Sequence, residues 1–157
     1  MEIRFAQQKD IPRLIALLDQ VGEVHHRIRP DIFPSGTRKY DEAALATLLQ
    51  DENRPIFVAE ADAIVLGYCF CVLKAHQSGS ASTQRLELYI DDLCVEESCR
   101  SLGVGTGLYG HACAYAKSLG CSHVTLNVWC GNHRAMAFYE KLGLRSRSIM
   151  MEMPLED

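Results

Sequence analysis

One stretch limits what this chain can fold into more than any other. Leu86-Glu87-Leu88-Tyr89-Ile90-Asp91-Asp92-Leu93-Cys94-Val95 reads as a strand, and Arg100-Ser101-Leu102-Gly103-Val104-Gly105-Thr106-Gly107 follows it as a glycine-rich turn. From about Gly105 to Leu119 the apolar residues Leu108, Ala112, Tyr115 and Leu119 return on one helical face, and Gly120 stops the helix. A strand that turns tightly into an amphipathic helix must lay that helix back on a sheet. The chain is therefore an α/β protein.

The remaining elements fit that class. Glu2 to Ala6 alternates like a short strand, and Asp10 is placed to cap a helix over about 11–28 with Pro12 in its first turn. Asp41 opens a second helix with Ala44, Leu45, Leu48 and Leu49 on its face. Pro55 to Glu60 and Ile64 to Leu73 form an antiparallel pair through a turn at Ala61-Asp62, and His76 to Ser82 reads as a mobile polar hairpin loop. Val124 to Trp129 is a strand, Asn132 caps a fourth helix stopped by Gly143, and a last strand spans about 146–153. The expected order is β-α-α-β-β-β-α-β-α-β, with a mixed sheet.

At 157 residues the chain suits a single domain over 1–157, large enough to bury a core without disulfides or structural metal. Apolar residues at 48% and charged residues at 23% exclude a disordered tail, a collagen-like rod and a coiled coil. No run approaches the roughly 18 apolar residues of a membrane-spanning helix. Met1-Glu2-Ile3-Arg4 does not open like a secretory signal, so a cytoplasmic location is expected. A net charge of −4 leaves no basic surplus to hold nucleic acid or anionic lipid. The seven cysteines form no Cys-x-x-Cys pair, and the six histidines show no matching ligand spacing. Small buried hydrophobes in a reducing compartment are expected, and no metal site.

The glycine turn carries the first chemical signal. Glycines let backbone N–H groups turn outward, and the free N–H groups of a helix start add to them, which makes an anion site suited to a diphosphate. No lysine follows to make a phosphate-binding Gly-x-x-x-x-Gly-Lys loop, and the glycine spacing does not give the dinucleotide Gly-x-Gly-x-x-Gly. Taken alone, the motif also fits a tight turn that holds no ligand.

A second motif removes much of that ambiguity. Arg100-x-x-Gly103-x-Gly105 is followed about 25–30 residues later by Asn132-x-x-Ala135-x-x-Phe138-Tyr139-x-x-Leu142-Gly143. This pair resembles the GNAT superfamily of acetyl-CoA-dependent N-acetyltransferases, in detail over residues 84–145. The resemblance implies a mostly antiparallel central sheet flanked by about four helices. It implies that Arg100, Ser101, Leu102, Gly103, Val104, Gly105 and Thr106 cradle the diphosphate of acetyl-CoA. Leu93, Cys94 and Val95 would pair with the pantetheine arm where the strand splays from its neighbour, and Asn132 would bond nearby. Tyr139 would bring its hydroxyl close to the sulfur.

Acetylating a primary amine needs the neutral amine, so a base must take a proton, and the leaving thiolate gains from a proton donor. Tyr139 is the candidate acid. Asp91 and Asp92 are the candidate bases, and only one is expected to reach the cleft unless a bulge intervenes. Their place resembles that of acidic residues in polyamine and aminoglycoside acetyltransferases; Glu87 and Tyr89 are reserves. Ribosomal-protein N-terminal acetyltransferases carry a basic glutamate where this chain has Asn127. The acceptor wall is expected from the first two helices and their connection, with His25, Arg29, Phe33 and Tyr40, and from Asn127. Direct transfer to a small amine, with a possible homodimer through the last strand, is the expected function. The alternatives are protein lysine or N-terminal acetylation, or a non-catalytic acyl-CoA-binding module.

Overall fold

The computed structural model describes residues 1–77 and 84–155. Five strands, β1 Glu2–Phe5, β2 Ile56–Ala61, β3 Ile64–Gln77, β4 Gln84–Val95 and β5 His123–Leu126, lie side by side in sequence order. All neighbours are antiparallel except β4 and β5, which run parallel. The four α-helices are α1 Ile11–Ile28, α2 Glu42–Leu48, α3 Val104–Ser118 and α4 His133–Lys141. The chain packs as two compact units, Met1–Asn127 and Val128–Asp157.

In the first unit, β2 and β3 are covered on both faces, which is why their residues run almost continuously apolar. Ile56, Val58, Tyr68 and Phe70 join Ile11, Leu14, Leu18 and Leu45 in one core against α1 and α2. Phe57, Ala59, Cys69 and Cys71 join Leu108, Ala112 and Ala116 of α3 in the other. Each fully buried leucine contributes roughly 1.5–3 kcal/mol of transfer free energy. Arg4 ties β1 to β2 and to the residue before α1. It donates to Asp10 at 2.8 and 3.0 Å and pairs with Glu60 of β2. Asp10 therefore does not cap α1 through its side chain as expected; its carboxylate faces Arg4 and the Gln7 N–H, which lies 2.7 Å away.

The periodicity of β4 breaks at one residue. Leu88 and Ile90 face α3, yet Cys94, also even-numbered, faces α1. A regular strand cannot do this. The register shows the cause: Cys71 pairs with Ile90 but Phe70 pairs with Asp92, so Asp91 is the extra residue of a β-bulge.

Further expected features need correction. The hairpin turn falls one residue later, with Asp62 and Ala63 at φ 50° and 62°. The expected last strand is not formed: residues 146–155 hold no strand geometry among the described residues, and Ile149, Met151 and Met153 are 79–88% exposed. Alternating apolar residues make a strand only where another strand supplies hydrogen-bond partners. Of the expected loop at 76–82, His76 and Gln77 extend β3, and 78–82 lie outside the described residues.

Candidate active site

The bulge decides how the two aspartates stand. Without it, neighbours on a strand point to opposite faces; with it, both carboxylates face the α1–α2 side. Asp92 accepts from the Tyr68 hydroxyl at 2.8 Å, and Asp91 accepts from the Tyr40 hydroxyl at 2.7 Å. Beneath them Tyr40 stacks on Phe70 at 5.5 Å, and Phe70 meets Tyr68 edge-on at 4.7 Å. The bulge is the exception that the expectation of a single aspartate allowed for, and a pair reaches this face.

The pair is chemically unequal. Asp91 is engaged on every side: Lys39 Nζ lies 2.9 Å from Oδ1, and Tyr40 holds Oδ2. Asp92 is half-buried, and burial raises its carboxyl above the usual range, against the opposing pull of the Tyr68 hydroxyl, Lys39 and His25. A carboxylate partly withdrawn from solvent binds a proton more readily, as a general base for an ammonium must. His25 is half-buried; burial lowers its imidazole, Asp92 pulls it back up, and Lys39 lowers it again. Its ring packs on Phe33 at 5.1 Å. Arg29 forms a fork with Asp31 at 2.6 and 2.9 Å. The Tyr40 hydroxyl also accepts from Arg54 at 3.3 Å. Of the expected acceptor wall, His25, Phe33 and Tyr40 thus gather with the carboxylates. The reserve Glu87 is buried, 2.5 Å from the Thr125 hydroxyl, and Tyr89 accepts from Asn127 at 3.1 Å.

Beyond the bulge the sheet opens. Pairing of β4 with β5 ends at Ile90 and Leu126, but β4 continues to Val95. Leu93 and Cys94 thus lie on a stretch with no strand pairing on the β5 side among the described residues. Val95 is partly engaged: its carbonyl accepts from Gln20 at 2.9 Å and from Arg100 at 3.4 Å. Gln20 also accepts from the Glu97 N–H at 3.2 Å, so α1 fixes the entry to the glycine turn.

The turn itself contains two left-handed residues, Ser101 at φ 66° and Gly103 at φ 82°. Gly103 caps α3, and only glycine takes that conformation without strain. Val104 is buried as an anchor, while Ser101, Leu102, Gly103 and Thr106 are exposed. The N–H groups of Val104, Gly105 and Thr106 belong to the first turn of a 15-residue helix, which leaves them without helical acceptors. An exposed turn whose first helical amides lack helical acceptors, with an opened strand beside it, offers donors of the kind a diphosphate and a pantetheine arm could use.

In the second unit, Asn132 accepts from the Ala135 N–H at 3.1 Å and so caps α4, as expected. Tyr139 lies in that helix with its ring 5.0 Å from Phe138, and Gly143 at φ 93° follows the helix end.

Cys94 is the thiol closest to the carboxylates in sequence, and burial pushes it up to about 12. It donates to the Leu17 carbonyl at 3.5 Å, as a thiol does. A groove of about 510 Å³ opens elsewhere, between Phe5, Asn53, Arg54 and Leu119. It shares Arg54 with the site and none of the carboxylate–phenol pairs. No group of three or more His, Cys, Asp or Glu side chains among the described residues could hold a metal ion. No described helix is long and apolar enough to cross a membrane.

Sequence reading missed Lys39, Arg54, Tyr68 and Gln20. Tyr68 alone leaves a signal, as a hydroxyl inside the apolar run Val65–Cys71 that must find a partner.

Residues 18–144 match the acetyltransferase (GNAT) family, and the chain belongs to it. It is 34% identical over 67 residues to the glucosamine 6-phosphate N-acetyltransferase of Trypanosoma brucei brucei, covering 43% of this chain and 44% of that one. The chain spans about half the length of the curated relatives it matches. The tetramutant of the BH1408 protein from Bacillus halodurans superposes with a TM-score of 0.92 at 31% identity, over 99% of this chain and 100% of that one. An aminoglycoside acetyltransferase from an uncultured soil metagenomic sample, solved with sisomicin, shares the fold with a TM-score of 0.73 at 18% identity, over 99% and 96%.

Proposed function

We propose that this chain is an N-acetyltransferase that moves an acetyl group from acetyl-CoA directly to a primary amine of a small polyamine- or aminoglycoside-like molecule. The observation that carries the reading is the bulge at Asp91, which turns Asp92 toward the α1–α2 face beside an engaged partner. A primary amine with a pKa of about 10.4 is almost wholly protonated at neutral pH, so it needs a base on the spot. Asp92 is that base, and Asp91 with Tyr40, His25, Arg29, Phe33 and Asn127 shapes the acceptor side.

Acetyl-CoA, when bound, supplies the thioester carbonyl that the amine attacks. Leu93, Cys94 and Val95 with Asn132 would hold its pantetheine arm, and residues 100–106 its diphosphate. Tyr139 holds the proton for the leaving sulfur. Direct transfer is supported by Cys94, which burial keeps as a thiol. The residues 1–157 act as one transferase domain in the cytoplasm. The exposed run Ile149, Met151, Met153 supports a homodimer, which light scattering would read as twice 17.5 kDa.

The test is thiol release with acetyl-CoA against polyamines, aminoglycosides, amino acids and peptides in parallel, for the parent and Asp92→Asn. The expected result is turnover of a small amine, with the variant weakest at low pH and partly rescued as pH rises. Turnover of peptides alone would replace the small amine with a protein acceptor. Acetyl-CoA binding without turnover of any amine would leave a binding module.

A further inference from the structure

Lys39 stands where an amine substrate of this site would stand. It lies on the connection between α1 and α2, with Nζ 2.9 Å from Asp91 Oδ1 and 3.2 Å from the Asp91 carbonyl oxygen. Asp92, the next residue along β4, feels that charge, as the lowering influence of Lys39 on its carboxyl records. The chain has five lysines, of which Lys39 is bonded to Asp91. Lys74 covers the Tyr89 ring at 3.8 Å, Lys9 is in the turn before α1, and Lys117 and Lys141 end α3 and α4.

A lysine ammonium has the chemistry of the acceptor proposed above: a primary alkyl amine, charged in water, nucleophilic once a proton is removed. Its side chain is 45% exposed, so it is not locked in packing. The connection that carries it is pinned close by, because Gly22 of α1 approaches the Thr37 carbonyl so closely that a Cβ would stand 2.6 Å from the oxygen. Two residues on, Lys39 meets Asp91.

We infer that Lys39 is itself an acyl acceptor, so that the enzyme acetylates its own acceptor wall when no external amine is present; this rests on the proposed function. In the step, the Lys39 ammonium gives one proton to Asp92 and its nitrogen forms a bond to the acetyl carbon of acetyl-CoA. The carbon–sulfur bond breaks, and the second nitrogen proton goes to the departing sulfur. The products are Nε-acetyl-Lys39 and coenzyme A, with one net proton released to solvent. Acetyl-lysine is neutral and cannot pair with Asp91, so the reaction frees that carboxylate for an incoming cationic amine. An external acceptor therefore competes with Lys39 before the modification and gains a partner after it.

The experiment incubates the full chain with acetyl-CoA alone, and in parallel with the amine panel. Acetyl groups are located by peptide mass mapping, and thiol release is recorded. The expected result is a single acetyl group on Lys39, absent from Lys39→Arg and formed roughly 10²-fold more slowly in Asp92→Asn. Melting curves show that both variants are folded, and mapping of the parent protein needs neither. Turnover of a panel amine with Lys39 unmodified overturns the inference and leaves the proposed function standing. Acetyl groups spread over Lys9, Lys74, Lys117 and Lys141 at a rate unchanged in Asp92→Asn mean ordinary chemical acetylation and also overturn it. Acetyl-Lys39 without turnover of any amine upholds the inference and removes the small-amine acceptor.

Discussion

Tyr68 donates to Asp92 Oδ2 across 2.8 Å from the fully buried face of β3. Burial, then the neighbouring Asp92, raises the Tyr68 phenol well above its ordinary value, so it stays a donor throughout the working range. This bond holds the Asp92 carboxyl lower than burial alone would set it. Tyr68→Phe removes it, so the acid limb of the kcat/KM profile should move to higher pH. The variant should also lose about 1–2 kcal/mol of stability, the usual cost of depriving a buried group of its partner. A pH–rate profile with a denaturant melt reads both; an unmoved acid limb would take Asp92 out of the mechanism.

The raised Asp92 carboxyl has a consequence for stability that runs opposite to an ordinary ion-paired aspartate. Between the unfolded value of about 3.9 and the higher native one, the folded chain binds more protons than the unfolded chain. Its contribution is fully present below the unfolded value and is lost as pH rises through the native one. Asp92→Asn cannot ionise, so its Tm relative to the parent should rise as pH climbs from about 4 through the native value. Melts at several pH values check this, and a constant difference would contradict it.

Gly22 packs against the connection that carries the proposed acceptor wall. In Gly22→Ala the better helix former gains up to about 1 kcal/mol, but the new Cβ would meet the Thr37 carbonyl oxygen at 2.6 Å, a backbone atom that cannot rotate away. Overpacking of this kind costs typically about 1–3 kcal/mol, so the clash wins and the α1–α2 connection shifts. Lys39 and Tyr40, two and three residues on, lose their fit to Asp91. The expected outcome is a Tm lower by a few degrees and a raised KM for the amine, with kcat affected less.

Much of this was legible in the residues. The periodicity of Ile11, Leu14 and Leu18 defines α1, Asp41 and Asn132 cap the helices they precede, and Gly103 takes the left-handed turn. Even the bulge leaves a trace, since apolar residues occupy even positions at Leu86, Leu88 and Ile90 and odd ones at Leu93 and Val95, with the two aspartates at the switch. Which face each carboxylate takes is not legible, because it depends on how β3 registers against β4. Lys39 and Arg54 are invisible for a related reason: a loop cation meets its partner through the path of the whole chain. The alternation at Ile149, Met151 and Met153 has the strand pattern, but pattern cannot supply a neighbouring strand.

The proposed general acid gives the sharpest test of the chemistry. Tyr139 lies within α4, a helix closed at one end by the Asn132 cap and followed at the other by Gly143. Its backbone carbonyl accepts from the Leu144 N–H at 3.1 Å, a bond that any residue at the position would keep. Tyr139→Phe therefore removes one oxygen and leaves the helix in place. A phenol within reach can donate to a departing thiolate as a general acid. Losing it should lower kcat by roughly 10²-fold or more, while acetyl-CoA affinity, read as the ligand-induced rise in Tm, stays close to that of the parent. The loss should shrink with an acyl donor whose thiol is more acidic, because a better leaving group needs the proton less. A variant that turns over at the parent rate would assign the proton to water, and a collapse of acetyl-CoA affinity would make Tyr139 a binding residue instead of an acid.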